Sequence, residues 1–275
     1  MSIPALVEDT LRSRAKAITV LLGIAAFFLL LATIVALVTD VPSAFTANVT
    51  VPTDRTVPSG ASPIEFLVGM VYGGLAALTQ FVAILVSVFI TAGILPSTME
   101  RGTVELYLSK PLSRARLLTG RFVGCLAIVA LTTGFFAIGM WTIIGLETGV
   151  WNPAFLSVIL TATLCFAVLY TMMMVLGIAT RSAASTIIVV FLFVYILAPI
   201  LRNRQGWLFA ISENRLYRSV MDLLYYIFPK PEEIAATANA LIGGQSVSWM
   251  PVWSSVLFGA AMFAFAVFLF ERKDL

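Results

Sequence analysis

Six long apolar runs alternate with segments in which the polar residues are concentrated, and this alternation predicts the elements of the chain. Segment 1–16 is mixed. Ile3, Leu6, Val7 and Leu11 interleave with Glu8, Asp9, Arg12, Arg14 and Lys16 at a spacing that gives a short amphipathic helix lying in a membrane interface. Run 17–38 holds 22 residues without a charge. A helix of about 20 residues crosses a hydrocarbon core, so this run is long enough to span and longer than a secretory signal's apolar region. It is expected to be a retained first helix. Further spans are predicted over 66–95, 122–146, 154–180, 184–201 and 252–270. The fold class expected is therefore all-α: a single transmembrane domain over 1–275, with six membrane-spanning helices and an N-terminal interfacial helix.

Turn and cap chemistry marks the borders of these runs. Segment 39–62 is rich in Pro, Ser and Thr and is expected to form an extended external loop, ending at Ser62-Pro63-Ile64-Glu65. That tetrapeptide supplies an N-cap serine, a proline at the first helical position and a glutamate at the third. Asn152-Pro153 repeats the cap-and-proline pair before the fourth span. Segment 202–251 is the longest polar stretch. Its second half, from Pro229-Lys230-Pro231-Glu232-Glu233, places Ile234, Ala238, Leu241 and Ile242 at helical spacing and stops at Gly243-Gly244. An external loop with one or two short amphipathic helices, lying on or dipping into the membrane surface, is expected there.

Composition removes whole classes of function. The chain is 60% hydrophobic and 11% charged, with a mean hydropathy of +1.01, whereas soluble domains carry about a quarter charged residues. A net charge of +3 and a pI near 9.0 would suggest nucleic acid in a soluble protein. Here the cations flank apolar spans and serve as topology signals, so no nucleic-acid partner is expected. With both termini, segment 96–121 and the Arg181 turn on the cytoplasmic side of the cell membrane, 11 of the 17 Lys/Arg lie inside. There is no histidine, and Cys125 and Cys165 both fall in apolar runs. Most metal and nucleophile chemistry is thereby removed, neither a disulfide framework nor a zinc site is available, and a membrane enzyme or intramembrane protease is disfavoured.

Energy must also come from elsewhere. No predicted span contains an ionisable side chain of the kind that ion-driven transport relies on; Glu65 and Glu147 lie at span ends. The most polar side chains at depth are Thr79 and Gln80, which either line a path or bridge helices. A GxxxxGK[ST] phosphate loop is absent, so ATP used by this protein is hydrolysed on another chain. Two glycine pairs, Gly69 with Gly73 and Gly120 with Gly124, are assigned to helix packing within one subunit.

The polar segment 96–121 carries five Lys/Arg and two Glu. Ser97-Thr98-Met99-Glu100 is a capping box, from which an amphipathic helix runs to Lys110-Pro111, with Arg101, Glu105 and Ser109 on one face. Ser113 caps the next helix. On the residues alone, an interfacial helix with positive-inside arginines fits as well as a docking device.

The string Glu100-Arg101-Gly102-Thr103, followed by Pro111-Leu112-Ser113-Arg114 and Leu117-Leu118-Thr119-Gly120-Arg121, resembles the first cytoplasmic loop of ABC-2-type transporter permeases. The closing Phe270-Glu271-Arg272-Lys273-Asp274-Leu275 is similar to that family's ending. Arg121 stands where the family has lysine. The resemblance implies a cytoplasmic coupling helix between spans two and three, docking on a separate ATP-binding-cassette ATPase. Glu100, Arg101, Gly102, Thr103 and Glu105 would be the docking set, Pro111 the elbow behind it and Arg181 a minor contact. It further implies pairing with a second permease copy, membrane lipid as surroundings, no cofactor on this chain, and ATP with magnesium on the ATPase partner. The expected function is export, with no bond chemistry on the permease. The alternative is a membrane anchor that recruits a soluble partner without transport.

Overall fold

The apolar runs become helices in the computed structural model, which describes residues 3–38, 63–94, 113–210, 212 and 214–272. Helix α1 (Ile3–Ser13) turns at Arg14 into α2 (Ala15–Val38); α3 covers Pro63–Thr91 and α4 Arg114–Thr148. A short 3-10 turn, Pro153–Leu156, leads into α5 (Ser157–Thr180). Helix α6 (Ala183–Leu192) continues through a π turn, Phe193–Leu197, into α7 (Ala198–Arg202). Helices α8 (Arg215–Ile227), α9 (Pro231–Ile242) and α10 (Met250–Arg272) complete the order. The described residues contain six helical segments long and apolar enough to cross a membrane: α2, α3, α4, the 3-10 turn with α5, α6 with α7, and α10. The all-α class with six spans agrees with the pattern of apolar runs, whereas Ser62 and the capping box at Ser97 lie outside the described residues.

Local chemistry explains the helix ends. Ser113 caps α4 by accepting from the Arg116 amide at 3.3 Å, and Gly149 ends that helix with φ 71°, a left-handed conformation that costs glycine little. Asn152 accepts from the Ala154 amide at 3.1 Å, with Pro153 behind it. Ser182 caps α6 through the Ser185 amide. The π turn has an identifiable cause in Pro199, which has no N–H to donate and whose ring crowds the carbonyl four residues back. The Ala198 amide reaches instead to Phe193, five residues back.

Six spans bring both termini to one face, called here the terminal face; the Gly149–Pro153 turn and α8 and α9 lie at the opposite, loop face. Helix α5 is the centre of the bundle. Phe166, Leu169, Tyr170, Met173 and Met174 are buried around its circumference, in one apolar cluster with residues of α1, α3, α4, α6 and α10. Because lipid is as apolar as leucine, close contact rather than water exclusion holds such helices together. Helix α2 is the outlier. Val20, Ile24, Phe27, Leu30 and Ile34 are exposed to the surroundings. Its hold on α4 includes Leu29 set so tightly on Gly139 that a Cβ there would lie 2.5 Å from its side chain.

Helix lengths decide where α9 goes. At about 1.5 Å per residue, the 20-residue span ending at Arg202 is about 12 Å shorter than its 28-residue neighbour ending at Pro153. Helix α9 fills that step, packing against α3, α5 and the 3-10 turn. Its first carbonyl, on Pro231, accepts from the Cys165 thiol at 3.9 Å, and its last, on Ile242, accepts from Asn152 Nδ2 at 3.1 Å. Cys165 lies eight residues inside α5, so α9 descends into the bundle while α8 stays at its rim.

Candidate functional site

On the terminal face, α1 packs across the first turns of α4. Leu6 rests on Gly120 and Thr10 on Gly124; a Cβ at these glycines would come within 2.5 and 2.7 Å of the Cβ atoms opposite. The Gly120 pair is thus used for packing within the chain. In the other pair only Gly73 has such a neighbour among the described residues, the Asn239 amide oxygen of α9 lying 3.9 Å from where a Cβ would stand; Gly69 has none within 4 Å.

Arg121 follows Gly120 and is buried, with 6% of its side chain exposed. Its Nη2 pairs with Asp9 at 2.9 Å, and its Nη1 donates to the Thr10 hydroxyl at 3.0 Å. Thr10 in turn donates to the Leu6 carbonyl at 2.8 Å. The charge that borders the third apolar run also anchors the N-terminal helix. Removing a guanidinium from water is costly, and the carboxylate and hydroxyl of α1 compensate it only in the docked position. Arg114 binds the opposite neighbour, donating to the Phe270 and Glu271 carbonyls at 3.0 and 3.2 Å, at the C-terminal end of α10 where a cation is favoured.

These contacts grip both stems of the segment between α3 and α4. Ala92 and Ile94 on one side, Leu117 and Leu118 on the other, and Leu6 of α1 belong to one buried apolar cluster. Arg14 lies 3.6 Å from where a Cβ on Gly93 would stand. The cluster also includes Ile178, three residues before the Arg181 turn. Arg181 itself is exposed and holds φ 52°, its amide closing the end of α5 on the Gly177 carbonyl at 3.0 Å. Glu100, Arg101, Gly102, Thr103, Glu105 and Pro111 lie outside the described residues.

Thr79 and Gln80 are both buried in α3, at 5% and 4% exposure. The Thr79 hydroxyl and the Gln80 amide make no hydrogen bond within the described residues, although the Cys165 thiol neighbours Gln80. The next residue, Phe81, is exposed and meets Tyr195 of the π turn edge-on at 5.7 Å.

The loop face carries a second charged assembly that sequence reasoning did not resolve. Arg202, closing α7, pairs with Glu232 at 2.8 Å, and Arg204 Nε pairs with Asp222 of α8 at 2.6 Å. The Arg204 guanidinium lies 3.7 Å from the centre of the Tyr225 ring, and Lys230 Nζ approaches the same ring at 4.7 Å. Tyr225 donates to Glu233 at 2.6 Å, while Lys230 Nζ donates to Ser254 at 2.9 Å and its amide to Ser255 at 3.0 Å. Burial, followed by the acceptor and charge of Glu233, pushes the Tyr225 phenol up to about 12, against an opposing effect of Arg204. Burial lowers Lys230 from its ordinary value, Glu233 opposing and Arg204 reinforcing. The sequence signals were Arg202, Arg204, Lys230 and the Glu232-Glu233 pair in one polar stretch, but their partners are set by the return of the chain at Phe228-Pro229.

A family model described as ABC-2 family transporter protein matches residues 48–275. No curated protein matches the chain.

Proposed function

The chain belongs to the ABC-2 transporter family, and from that premise we propose that it is the permease subunit of an ATP-driven exporter. It works as a homodimer with separate ATPase subunits that bind ATP and magnesium. The whole chain is one permease domain in the cell membrane, with both termini and segment 96–121 on the cytoplasmic side. Glu100, Arg101, Gly102, Thr103 and Glu105 form the docking surface of a coupling helix, Pro111 sets its elbow, and Arg181 adds a contact from the second turn on that face.

The observation that supports this reading is the gripping of both stems. Ala92, Ile94, Leu117 and Leu118 share a buried cluster with Leu6, and Arg121 ties α1 to α4 through Asp9 and Thr10. A force applied between α3 and α4 is thereby delivered to both spans together, because packed helices move as units rather than deforming continuously. Thr79 and Gln80 are the pathway positions in this reading. Among the described residues the Thr79 hydroxyl and the Gln80 amide lack geometric hydrogen bonds, so a helix displacement that exposes them relieves a cost of about 1–3 kcal/mol per unsatisfied group.

The test is charge reversal at the docking set. The double variant Glu100→Lys with Arg101→Glu is expected to insert normally but to lose its ATPase during purification from membranes, together with substrate-stimulated hydrolysis. Undiminished co-purification would overturn the docking assignment.

A further inference from the structure

The burial pattern of the fifth span changes phase at the π turn. Thr186, Val190, Phe193 and Val194 are buried at spacings of three and four residues, the last three in the central apolar cluster. An α-helix turns about 100° per residue, so the same side next comes round at Leu197. Leu197 is instead 40% exposed, while Ala198, the next in line, is buried. This is the shift that a π turn introduces. Phe193–Leu197 spends five residues where an α-helix would spend four, and the Ala198 amide reaches the Phe193 carbonyl.

Beyond the turn, the side carried inward meets α9. Ala198 and Leu201 line, with Phe228 and Pro231, the cleft where α9 begins, and Arg202 pairs with Glu232 of α9 at 2.8 Å. Wound as unbroken α-helix, residues 198–202 would be turned by about 100° relative to α6. A side chain about 5 Å from the helix axis would then move by about 8 Å. Such a turn takes Arg202 off Glu232 and brings Leu197 against the protein. Pro199 opposes it, because in an α-helix its ring meets the Tyr195 carbonyl and it has no N–H to give that oxygen.

We propose that the π turn is a register device: one inserted residue, held by Pro199, lets a single span pack α6 against the central bundle and clasp α9 with α7. A regular helix of this sequence cannot do both. With Val190, Phe193 and Val194 on the bundle, it would carry Arg202 about 100° away from Glu232. Pro199 is therefore a positioning residue for α9. Its influence reaches the interior, since the Pro231 carbonyl of the helix so held accepts from Cys165, whose thiol neighbours Gln80.

The proposal depends on the helical fold and not on ATP coupling, and it is tested on the full chain in detergent micelles. Arg202→Cys and Glu232→Cys are introduced together, the two native cysteines being buried. A short bismethanethiosulfonate joins them, and mass spectrometry measures the linked peptides. Cross-linking is expected to be efficient with Pro199 in place and to fall severalfold in Pro199→Ala. It is expected to return when Ile196 is also deleted, because the deletion removes the inserted residue and turns the same side back to α9. Maleimide labelling of Leu197→Cys follows the turn itself and stays readable if α9 comes loose. Labelling is expected to be fast with Pro199, severalfold slower in Pro199→Ala, and fast again after the deletion. Two results overturn the proposal and leave the transport reading intact. Undiminished cross-linking and labelling in Pro199→Ala mean that the contacts of α9 hold the register without the proline. Losses that the deletion does not restore mean that the span has loosened and that no register was set.

Discussion

Two short amphipathic helices, one at each end of the bundle, are attached in opposite senses. Helix α1 turns inward the side with Leu6 and Thr10, seats both on glycines, and is pinned by a guanidinium belonging to the span it lies on. Helix α8 buries no residue fully and is held mainly by polar side chains, Asp222 on Arg204 just beyond α7 and Tyr225 on Arg204 and Glu233. The first is a joint made by shape, in which small displacements are resisted by van der Waals contact. The second is a joint made by charge, in which strength depends on what surrounds it. The shape-made joint lies beside the segment proposed to receive force, whereas the charge-made joint lies at the loop face.

The sharpest way to break this comparison is to remove one carboxylate from each joint. Asp9→Ala takes from Arg121, 6% exposed, its carboxylate in α1. A loss of about 3 kcal/mol is expected, the low end for a broken buried pair because Asp9 is itself partly solvated. Asp222→Ala takes the carboxylate from Arg204, 10% exposed, but leaves it stacked on Tyr225; with the ring still covering the guanidinium, a smaller loss of about 2 kcal/mol is expected. Amide hydrogen exchange across α1 and α8 in each variant reads both losses; equal effects would show that the joints do not differ in kind.

A second variant attacks shape alone. Gly120→Leu puts a side chain where even a Cβ comes 2.5 Å from the Leu6 Cβ. Overpacking of this sort costs about 1–3 kcal/mol, and α1 is expected to leave α4. The same change at Gly69, which has no neighbour within 4 Å, is expected to be neutral. Thermal unfolding in detergent and protease sensitivity of α1 distinguish the two.

The smallest effect concerns protons on the loop face. Tyr225 ionises at about 12 in the fold against an ordinary 10.0. Its stabilising contribution is therefore complete below pH 10 and is lost as pH rises through about 12. Lys230, lowered by burial, works in the other direction: its charged form costs the fold, and that cost fades as pH rises through its lowered value. Titration of tyrosinate absorbance is expected to lose one late-ionising phenol in Tyr225→Phe, while Lys230→Met is expected to weaken the alkaline gain and leave that phenol in place.

Much of this architecture is legible in the sequence. Uncharged runs long enough to span, Asn152-Pro153 before the fourth span and Ser113 before the third predict elements whose ends the structure shows capped by those residues. The candidate site is legible only in outline. Arg121 looks like a boundary charge because it borders an apolar run, and nothing local announces that Asp9 and Thr10, more than a hundred positions away, will compensate it. Arg204 and Asp222 likewise lie in one polar stretch, but their pairing needs α8 to turn its charged side toward α7.

What the sequence determined by itself is whatever follows from neighbours along the chain: which segments are apolar enough to leave water, and where caps and prolines end them. Tertiary structure alone decided which side of an amphipathic helix faces inward. Periodicity gives two sides and no preference between them once lipid can cover an apolar one as well as protein can. The choice is then made by what stands opposite: glycines and a buried arginine for α1, and Arg204, Lys230 and Glu233 for α8.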